Sequence, residues 1–178
     1  MVRRAGGGVS EPSQAFGTAV RWVIDAEGGP TLVTDTGGLT RWGISSKAHP
    51  GVDIEHLTRK DAERIYRESY WEPIHGDSLP PMLAFAVFDA AVNMGVSKSV
   101  TILQTCLRRV GVDGVMGPET LAAAKLYLPR TELVAQCLEL RLRQYGELAQ
   151  KPAYTPYHYG WRMRVLRLAL EVGGLRFA

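Results

Sequence analysis

The segment that most constrains the fold is a strongly apolar run over residues 82–94. Two prolines precede it and Gly95 follows it, and both residue types are typical limits of an α-helix. Because the run is apolar nearly all round, the helix is predicted to lie at the centre of the molecule. Its polar exceptions are Asp89 and Asn93, which are four residues apart and therefore share one face.

The remaining segments favour a mainly α fold with one small β-hairpin. The chain has 178 residues, of which 46% are hydrophobic, and this suits one compact core, formed by one domain or by two closely packed parts. Residues 31–45 are rich in Thr and Val and are interrupted by an Asp-Thr-Gly-Gly turn, which predicts a hairpin. Other predicted helices follow Ser13, Thr58 and Pro118, cover residues 97–110 and 131–150, and include a last helix that carries Trp161, Val165, Leu168 and Val172.

Charge and composition limit the classes of partner that this chain is expected to bind. The net charge of +3 and pI of about 9.0 favour anionic partners, but no run of basic and aromatic residues suggests a nucleic-acid surface. No stretch approaches the ~20 apolar residues of a membrane span. Cys106 and Cys137 lie in helical, apolar segments, so buried free thiols are expected, and their spacing leaves a disulfide open. Neither has a C-x-x-C or His neighbour, so a zinc site is not expected. Residues 1–12 are predicted to be a flexible tail without a secretory signal, which implies synthesis in the cytoplasm.

Glu27 is the first candidate for chemistry. It extends the apolar stripe of the first helix, whose members include Phe16, Val20 and Ile24, and it is followed at once by a Gly-Gly stop. Partial burial and the negative end of the helix dipole both favour the protonated form of a carboxyl there. Such a carboxyl suits general-acid catalysis, although a surface glutamate at a frayed helix end fits the local pattern as well.

The predicted hairpin offers a second group. Asp35, beside the Gly-Gly turn, is expected to stay ionised, and Thr40 on the return strand could position a water molecule. One neutral acid and one ionised carboxylate across a cleft are the requirement for glycoside hydrolysis. By position alone, Asp35 could equally serve the turn, and Thr40 could simply face solvent.

The ordered motifs resemble those of the glycoside hydrolase family 108 muramidases, which are phage endolysins and related secretion-activator proteins. The order of Glu, Asp and Thr across helix and hairpin is also similar in layout to the phage T4-type lysozymes. The matching stretches lie within about residues 16–98 and read E-G-G at 27–29, D-T-G-G-L-T-R-W-G-I at 35–44, Y-W-E-P at 70–73 and F-D-A-A-V-N-M-G at 88–95.

The resemblance implies a lysozyme-like α+β catalytic domain over residues 13–98 with Glu27 as the catalytic acid, and it implies no cofactor or metal. Residues 99–178 resemble the helical peptidoglycan-binding segment of the same family, packed on the first domain. The motif of this segment is D-G-V-M-G-P-E-T at residues 113–120, where Asp113 or Thr120 could cap a helix. A structural role for this motif is favoured over contact with a ligand.

Four further residues are candidates for binding a glycan. Trp42 and Tyr70 lie near the expected cleft, and their rings could stack on sugar faces or belong to the core. Asp89 and Asn93 could bond an acetamido group, or they could hold the hairpin and Glu27 in place. Trp71 is expected in the core.

These patterns predict a monomeric hydrolase of the β-1,4 bond between N-acetylmuramic acid and N-acetylglucosamine. Its partner would be the peptidoglycan strand, reached in the periplasm after holin-like or other release. Two alternatives remain, a lytic transglycosylase and a wall-binding module without activity. A hydrolase with Glu27 and Asp35 far enough apart to admit a water held by Thr40 would invert the anomeric centre.

Overall fold

The computed structural model describes residues 13–35 and 38–174. The helices are α1 (Gln14–Ala26), α2 (Arg59–Tyr66), α3 (Pro81–Met94), α4 (Val96–Leu107), α5 (Pro118–Leu126), α6 (Arg130–Leu148) and α7 (His158–Gly174). The strands are β1 (Val33–Asp35), β2 (Gly38–Arg41) and β3 (Ile44–Ser45). The mainly α prediction with a small β element is therefore confirmed.

Helix α3 lies at the centre, as its composition predicts. It packs against α1, α4, α6 and α7. Every side chain from Leu83 to Ala91 is buried, including the carboxylate of Asp89. Because one helix touches both the N-terminal and the C-terminal halves, a polar group on α3 can link the two.

The β element has one strand more than the predicted hairpin. The antiparallel order is β1-β2-β3, with Val33 opposite Thr40 and Thr40 opposite Ser45. The chain turns a second time at Trp42 and Gly43, whose φ angles are 55° and 76°. A glycine adopts this left-handed conformation readily, so a tight turn fits directly after β2 and allows β3 to form.

Helix α1 forms as the sequence predicts. The Ser13 hydroxyl accepts a hydrogen bond from the amide of Phe16 at 3.3 Å, which caps the N-terminus. The apolar stripe of the helix is buried, and the helix ends at Ala26. Gly28 and Gly29 follow with φ angles of 97° and 64°, which turns the chain sharply after Glu27.

Two predicted helices end earlier than expected. The helix predicted through Tyr70 ends as α2 at Tyr66 and continues as a π-helical turn over Arg67–Trp71. Trp71 is completely buried, and this confirms its expected place in the core. Helix α4 ends at Leu107 instead of residue 110 because Arg108 takes a left-handed conformation.

The loop before α5 is held by a buried glutamine instead of by a helix cap. The cap prediction for Asp113 or Thr120 is wrong, since Gly117 occupies the cap position without a side-chain bond. Gln104 of α4 donates to the Asp113 carboxylate at 2.8 Å and to the Thr120 hydroxyl at 3.1 Å, and it accepts from the Gly114 amide at 2.9 Å. These bonds occupy both side chains within the fold and favour the structural role of the motif.

The two halves share one continuous hydrophobic core, which includes buried residues from α1, α3, α4, α6 and α7. A division of the chain near residue 98 therefore stays a prediction. The predicted tail over residues 1–12 lies outside the described part of the chain.

Candidate active site

Glu27 stands at the exposed end of a buried stripe. It is the residue directly after α1, and its side chain is 26% exposed. Its amide donates to the carbonyl of Val23 at 2.9 Å, so the backbone is still fixed by the helix. The carboxyl is thus held firmly at its base and remains accessible from solvent.

The turn after β2 closes over this position. The amide of Trp42 donates to the carbonyl of Gly29 at 2.9 Å, and the hydroxyl of Tyr66 donates to the carbonyl of Trp42 at 3.1 Å. A Cβ atom at Gly43 would collide with the Tyr66 hydroxyl and would stand 2.6 Å from Cβ of Glu27. The sheet therefore approaches Glu27 as closely as a glycine allows.

Arg164 of α7 contacts the Glu27 carboxyl from the C-terminal half. Its Nη1 lies 2.5 Å from Oε1 of Glu27, and its Nη2 lies 2.7 Å from Oδ1 of Asp89. The Arg164 side chain is only 11% exposed, and Asp89 is fully buried. One guanidinium thus joins the end of α1 to the central helix, which fixes the position of Oε1.

A second arginine balances the charge of Asp89. Nη1 of Arg141 on α6 lies 2.5 Å from Oδ2 of Asp89, and its Nε donates to the Tyr145 hydroxyl at 2.9 Å. That hydroxyl donates in turn to the side-chain carbonyl of Asn93. Two carboxylates and two guanidiniums therefore form a network with no net charge, in which each buried ion has an opposite partner.

The pKa values around the network follow its geometry. Burial alone would lower the pKa of Arg164, but the charges of Asp89 and Glu27 outweigh it and raise that pKa. Burial, together with the charge of Glu27, raises the pKa values of both Tyr66 and Tyr70. Both phenols therefore stay protonated at neutral pH and can act as hydrogen-bond donors.

One oxygen of Glu27 is left for chemistry. Oε1 is bound by Arg164, whereas Oε2 has no hydrogen-bond partner among the residues that the structure describes. Oε2 is therefore the oxygen of Glu27 that remains available to a bound substrate.

The structure brings the predicted residues together unequally. Trp42 is joined to the Glu27 region through its backbone, while its indole donates to the carbonyl of Leu57 at 3.1 Å. The ring of Tyr70 lies 5.9 Å from that of Tyr66, within reach of the Glu27 charge. Asp89 reaches Glu27 only through Arg164, and Asn93 is further along the same network. For Asp89 and Asn93, this geometry favours the positioning role over direct contact with a sugar.

The second catalytic group stays a prediction. Thr40 is half-buried on β2, two residues before Trp42. The backbone of Asp35 ends β1 opposite Gly38, but its side chain lies outside the described part of the structure.

Sequence reasoning missed Arg141 and Arg164, although a signal for both exists. Arg141 lies four residues after Cys137 and four before Tyr145, all buried on one face of α6. Arg164 lies four residues before Leu168 on the buried stripe of α7. A charged residue on an apolar stripe requires an opposite charge, and this rule could have linked both arginines to Asp89 and Glu27.

The described residues also bear on metal binding and on membrane insertion. Within residues 13–35 and 38–174, no group of three or more His, Cys, Asp or Glu side chains is placed to hold a metal ion. No helix in this part of the chain combines the length and apolarity needed to cross a bilayer.

Comparisons with known proteins agree with the motifs. Residues 20–95 match the family model of glycosyl hydrolase 108, and residues 98–166 match that of a predicted peptidoglycan domain. The solved structure of Brucella abortus SagA is 30% identical in sequence, with a TM-score of 0.75, over 88% of this chain and 92% of that one. No curated protein matches. With its lysozyme-like α+β fold and its peptidoglycan domain, this chain belongs to glycosyl hydrolase family 108.

Proposed function

We propose that this protein is an N-acetylmuramidase, a lysozyme that cuts the β-1,4 bond between N-acetylmuramic acid and N-acetylglucosamine. The observation that carries the proposal is the Glu27 carboxyl, which one guanidinium fixes at Oε1 while Oε2 has no hydrogen-bond partner among the described residues. A positioned acid with an accessible oxygen is what cleavage of a glycosidic bond requires. Membership of the family supports a glycoside hydrolase that has peptidoglycan as its partner.

In the proposed reaction, Oε2 of Glu27 delivers a proton to the oxygen of the scissile bond. The bond from that oxygen to the anomeric carbon breaks, and N-acetylglucosamine leaves with the proton as a free hydroxyl. A water molecule adds to the anomeric carbon and gives up one proton to a carboxylate. Asp35 is our candidate for this carboxylate and Thr40 for the group that orients the water, because both belong to the sheet that closes on Glu27.

Arg164 has a defined part in this cycle. After Glu27 has lost its proton, the carboxylate keeps its contact with the guanidinium, which offsets the negative charge that forms. Because Asp89 holds Arg164 from the other side, the guanidinium keeps its place while Glu27 changes protonation. We therefore assign Arg164 and Asp89 as positioning residues and Glu27 as the catalytic acid.

Mass analysis of the fragments released from purified peptidoglycan sacculi tests the proposal. A muramidase releases muropeptides with reducing N-acetylmuramic acid ends. Ends of the 1,6-anhydro type would establish a lytic transglycosylase instead, and no release at all would leave a wall-binding module. EDTA should leave the activity unchanged, because no step uses a metal.

The initial anomer tests the assignment of the second group. If water adds in a single displacement, fresh digests observed by NMR contain the α-anomer first. An initial β-anomer would exclude that step. Thr40→Glu should then displace the water and impair hydrolysis, whereas full wild-type activity in this variant would place Thr40 outside the active site.

The proposed substrate also sets the proposed place of action. Peptidoglycan lies outside the cytoplasmic membrane, so the protein is proposed to act on the wall after a holin-like or other route of release. Cell lysis and remodelling of the wall for secretion both fit this activity.

A further inference from the structure

A ladder of aromatic rings extends from the buried charge network to the surface. The ring of Tyr145 stacks on that of Trp161 at 4.9 Å between centroids, and Trp161 stacks on Tyr157 at 5.8 Å, each pair inclined by 23°. The ring centroids of Tyr154 and Trp161 lie 6.1 Å apart. We call these four residues the aromatic ladder.

The outer end of the ladder is open to solvent. Tyr145 is buried, whereas Tyr154 and Tyr157 are 42% and 59% exposed. Aromatic rings are usually buried for their apolar area, and neighbouring rings that remain exposed indicate a surface that receives a ligand. The stacking holds the outer rings in position without covering their free surface.

The ladder is directly continuous with the candidate active site. Trp161 and Arg164 lie on the same face of α7, about 4.5 Å apart along the helix axis. Arg164 contacts Glu27, and the hydroxyl of Tyr145 donates to Asn93 in the same network. The inner end of the ladder therefore contacts the network that holds Glu27, and Trp161 lies one helical turn from Arg164.

The geometry points to a glycan-binding subsite on the ladder, where Tyr154 and Tyr157 receive a pyranose ring of the strand beyond the sugars at Glu27. This inference rests on the proposed function, since it takes the substrate to be a glycan. The apolar C–H face of a pyranose can stack on an aromatic ring, while a tyrosine hydroxyl can bond the sugar's own hydroxyl groups. The four rings are uncharged, which suits a neutral sugar better than the carboxylate-bearing peptide stems.

The chain provides a matched control. Tyr159 is 75% exposed and lies in the same segment, but it forms no ring contact with the ladder in the described structure. Replacing it by alanine removes as much exposed aromatic area without touching the stack. An effect restricted to Tyr154 and Tyr157 would therefore report on the ladder itself.

The experiment measures binding in the full chain carrying Glu27→Gln, which prevents digestion of the ligand. The probes are purified sacculi, by co-sedimentation, and a soluble oligomer of N-acetylglucosamine, by calorimetry. We expect Tyr157→Ala to weaken the affinity for each probe by about twofold to tenfold. The double variant Tyr154→Ala, Tyr157→Ala should weaken both affinities further. Tyr157→Phe should keep most of the affinity, because it retains the ring and loses only the bond of the hydroxyl to the sugar, and Tyr159→Ala should leave the affinity unchanged.

The outcomes separate this inference from the proposed function. Equal affinities in Tyr157→Ala and Tyr159→Ala would overturn the subsite, even if wild-type protein releases reducing ends. A loss of sacculus binding without any oligosaccharide binding would also overturn it, because the ladder would then recognise the peptide part. If the double variant unfolds, the affinities of the single variants Tyr157→Ala and Tyr157→Phe still test whether the ring of Tyr157 binds the glycan. Failure of the proposed function would appear only in the products of the wild-type enzyme.

Discussion

Two polar networks centred on buried side chains differ in which parts of the molecule they connect. Gln104 forms a local network in the C-terminal half, where its partners Asp113, Gly114 and Thr120 belong to one loop and the following helix. The network of Asp89 and Arg164 joins separate helices and ends at Glu27, which is partly exposed and has one carboxyl oxygen without a partner among the described residues.

The difference shows how similar chemistry can serve structure or function. A network confined to one loop and the helices beside it stabilises one loop conformation. A charged network that ends at the surface holds a reactive group in a defined position and leaves it accessible. Substitutions in the two networks should therefore separate stability from activity.

The largest expected effect is that of Glu27→Gln. Glutamine is nearly isosteric but cannot deliver a proton, so cleavage of sacculi should fall by roughly 10²–10⁴-fold. Circular dichroism and the thermal unfolding midpoint should stay close to those of the wild type. Activity above about a tenth of the wild-type value would remove Glu27 from the role of the acid.

Arg164→Lys should come next, with a loss in both activity and stability. Lysine keeps the charge but lacks the planar fork that bonds Glu27 and Asp89 together. We expect kcat to fall by about tenfold to a hundredfold because Oε1 of Glu27 is no longer fixed. The free energy of unfolding should fall by about 2 kcal/mol, because the charge of Asp89 loses part of its compensation.

The exposed Arg167 of the same helix offers the control Arg167→Lys, which should change neither quantity. Steady-state kinetics on a soluble glycan and denaturant unfolding provide the measurements. A wild-type kcat in Arg164→Lys would show that the contacts of Arg164 with Glu27 and Asp89 stabilise the fold but do not contribute to catalysis.

Gln104→Leu should reduce stability alone. The change removes the partners of Thr120 and of the Gly114 amide, and we expect the free energy of unfolding to fall by about 2 kcal/mol. The kcat of the folded enzyme on a soluble glycan should stay unchanged, because the Gln104 network does not reach Glu27. A fall in kcat at a temperature where the variant is fully folded would contradict the separation of the two networks.

The smallest effect concerns alkaline pH. Because burial, together with the Glu27 charge, raises the pKa of Tyr66, the unfolded chain loses this proton at a lower pH than the folded chain. The contribution of Tyr66 to the free energy of unfolding should therefore be fully present below about pH 10 and decline as the pH rises above it. Tyr66→Phe should flatten that decline. It should also lower the free energy of unfolding at neutral pH by about 1 kcal/mol, because the hydrogen bond to the Trp42 carbonyl is lost.

Unfolding curves between pH 8 and about 11.5 give this slope, with Tyr159→Phe at an exposed position as the control. An unchanged alkaline slope in Tyr66→Phe would show that other groups govern the transition.

Much of the fold follows from local patterns. The central place of α3, the cap at Ser13 and the stop after Glu27 could be predicted because each depends on residues close in the chain. The third strand could not, since it depends on a second turn at Trp42 and Gly43. The π-helical turn after α2 was also missed, because its place depends on how Trp71 fits the core.

The sequence by itself indicated that Glu27 extends an apolar stripe and that Asp89 lies on the central apolar helix. Arg141 and Arg164 lie on apolar stripes as well, and each of the four charges needs an opposite partner because an unpaired ion in a core is too costly. Which carboxylate meets which arginine was decided only by the tertiary structure. The pairs are far apart along the chain, on α1, α3, α6 and α7, and only the packing of these helices around α3 brings Arg164 between Asp89 and Glu27.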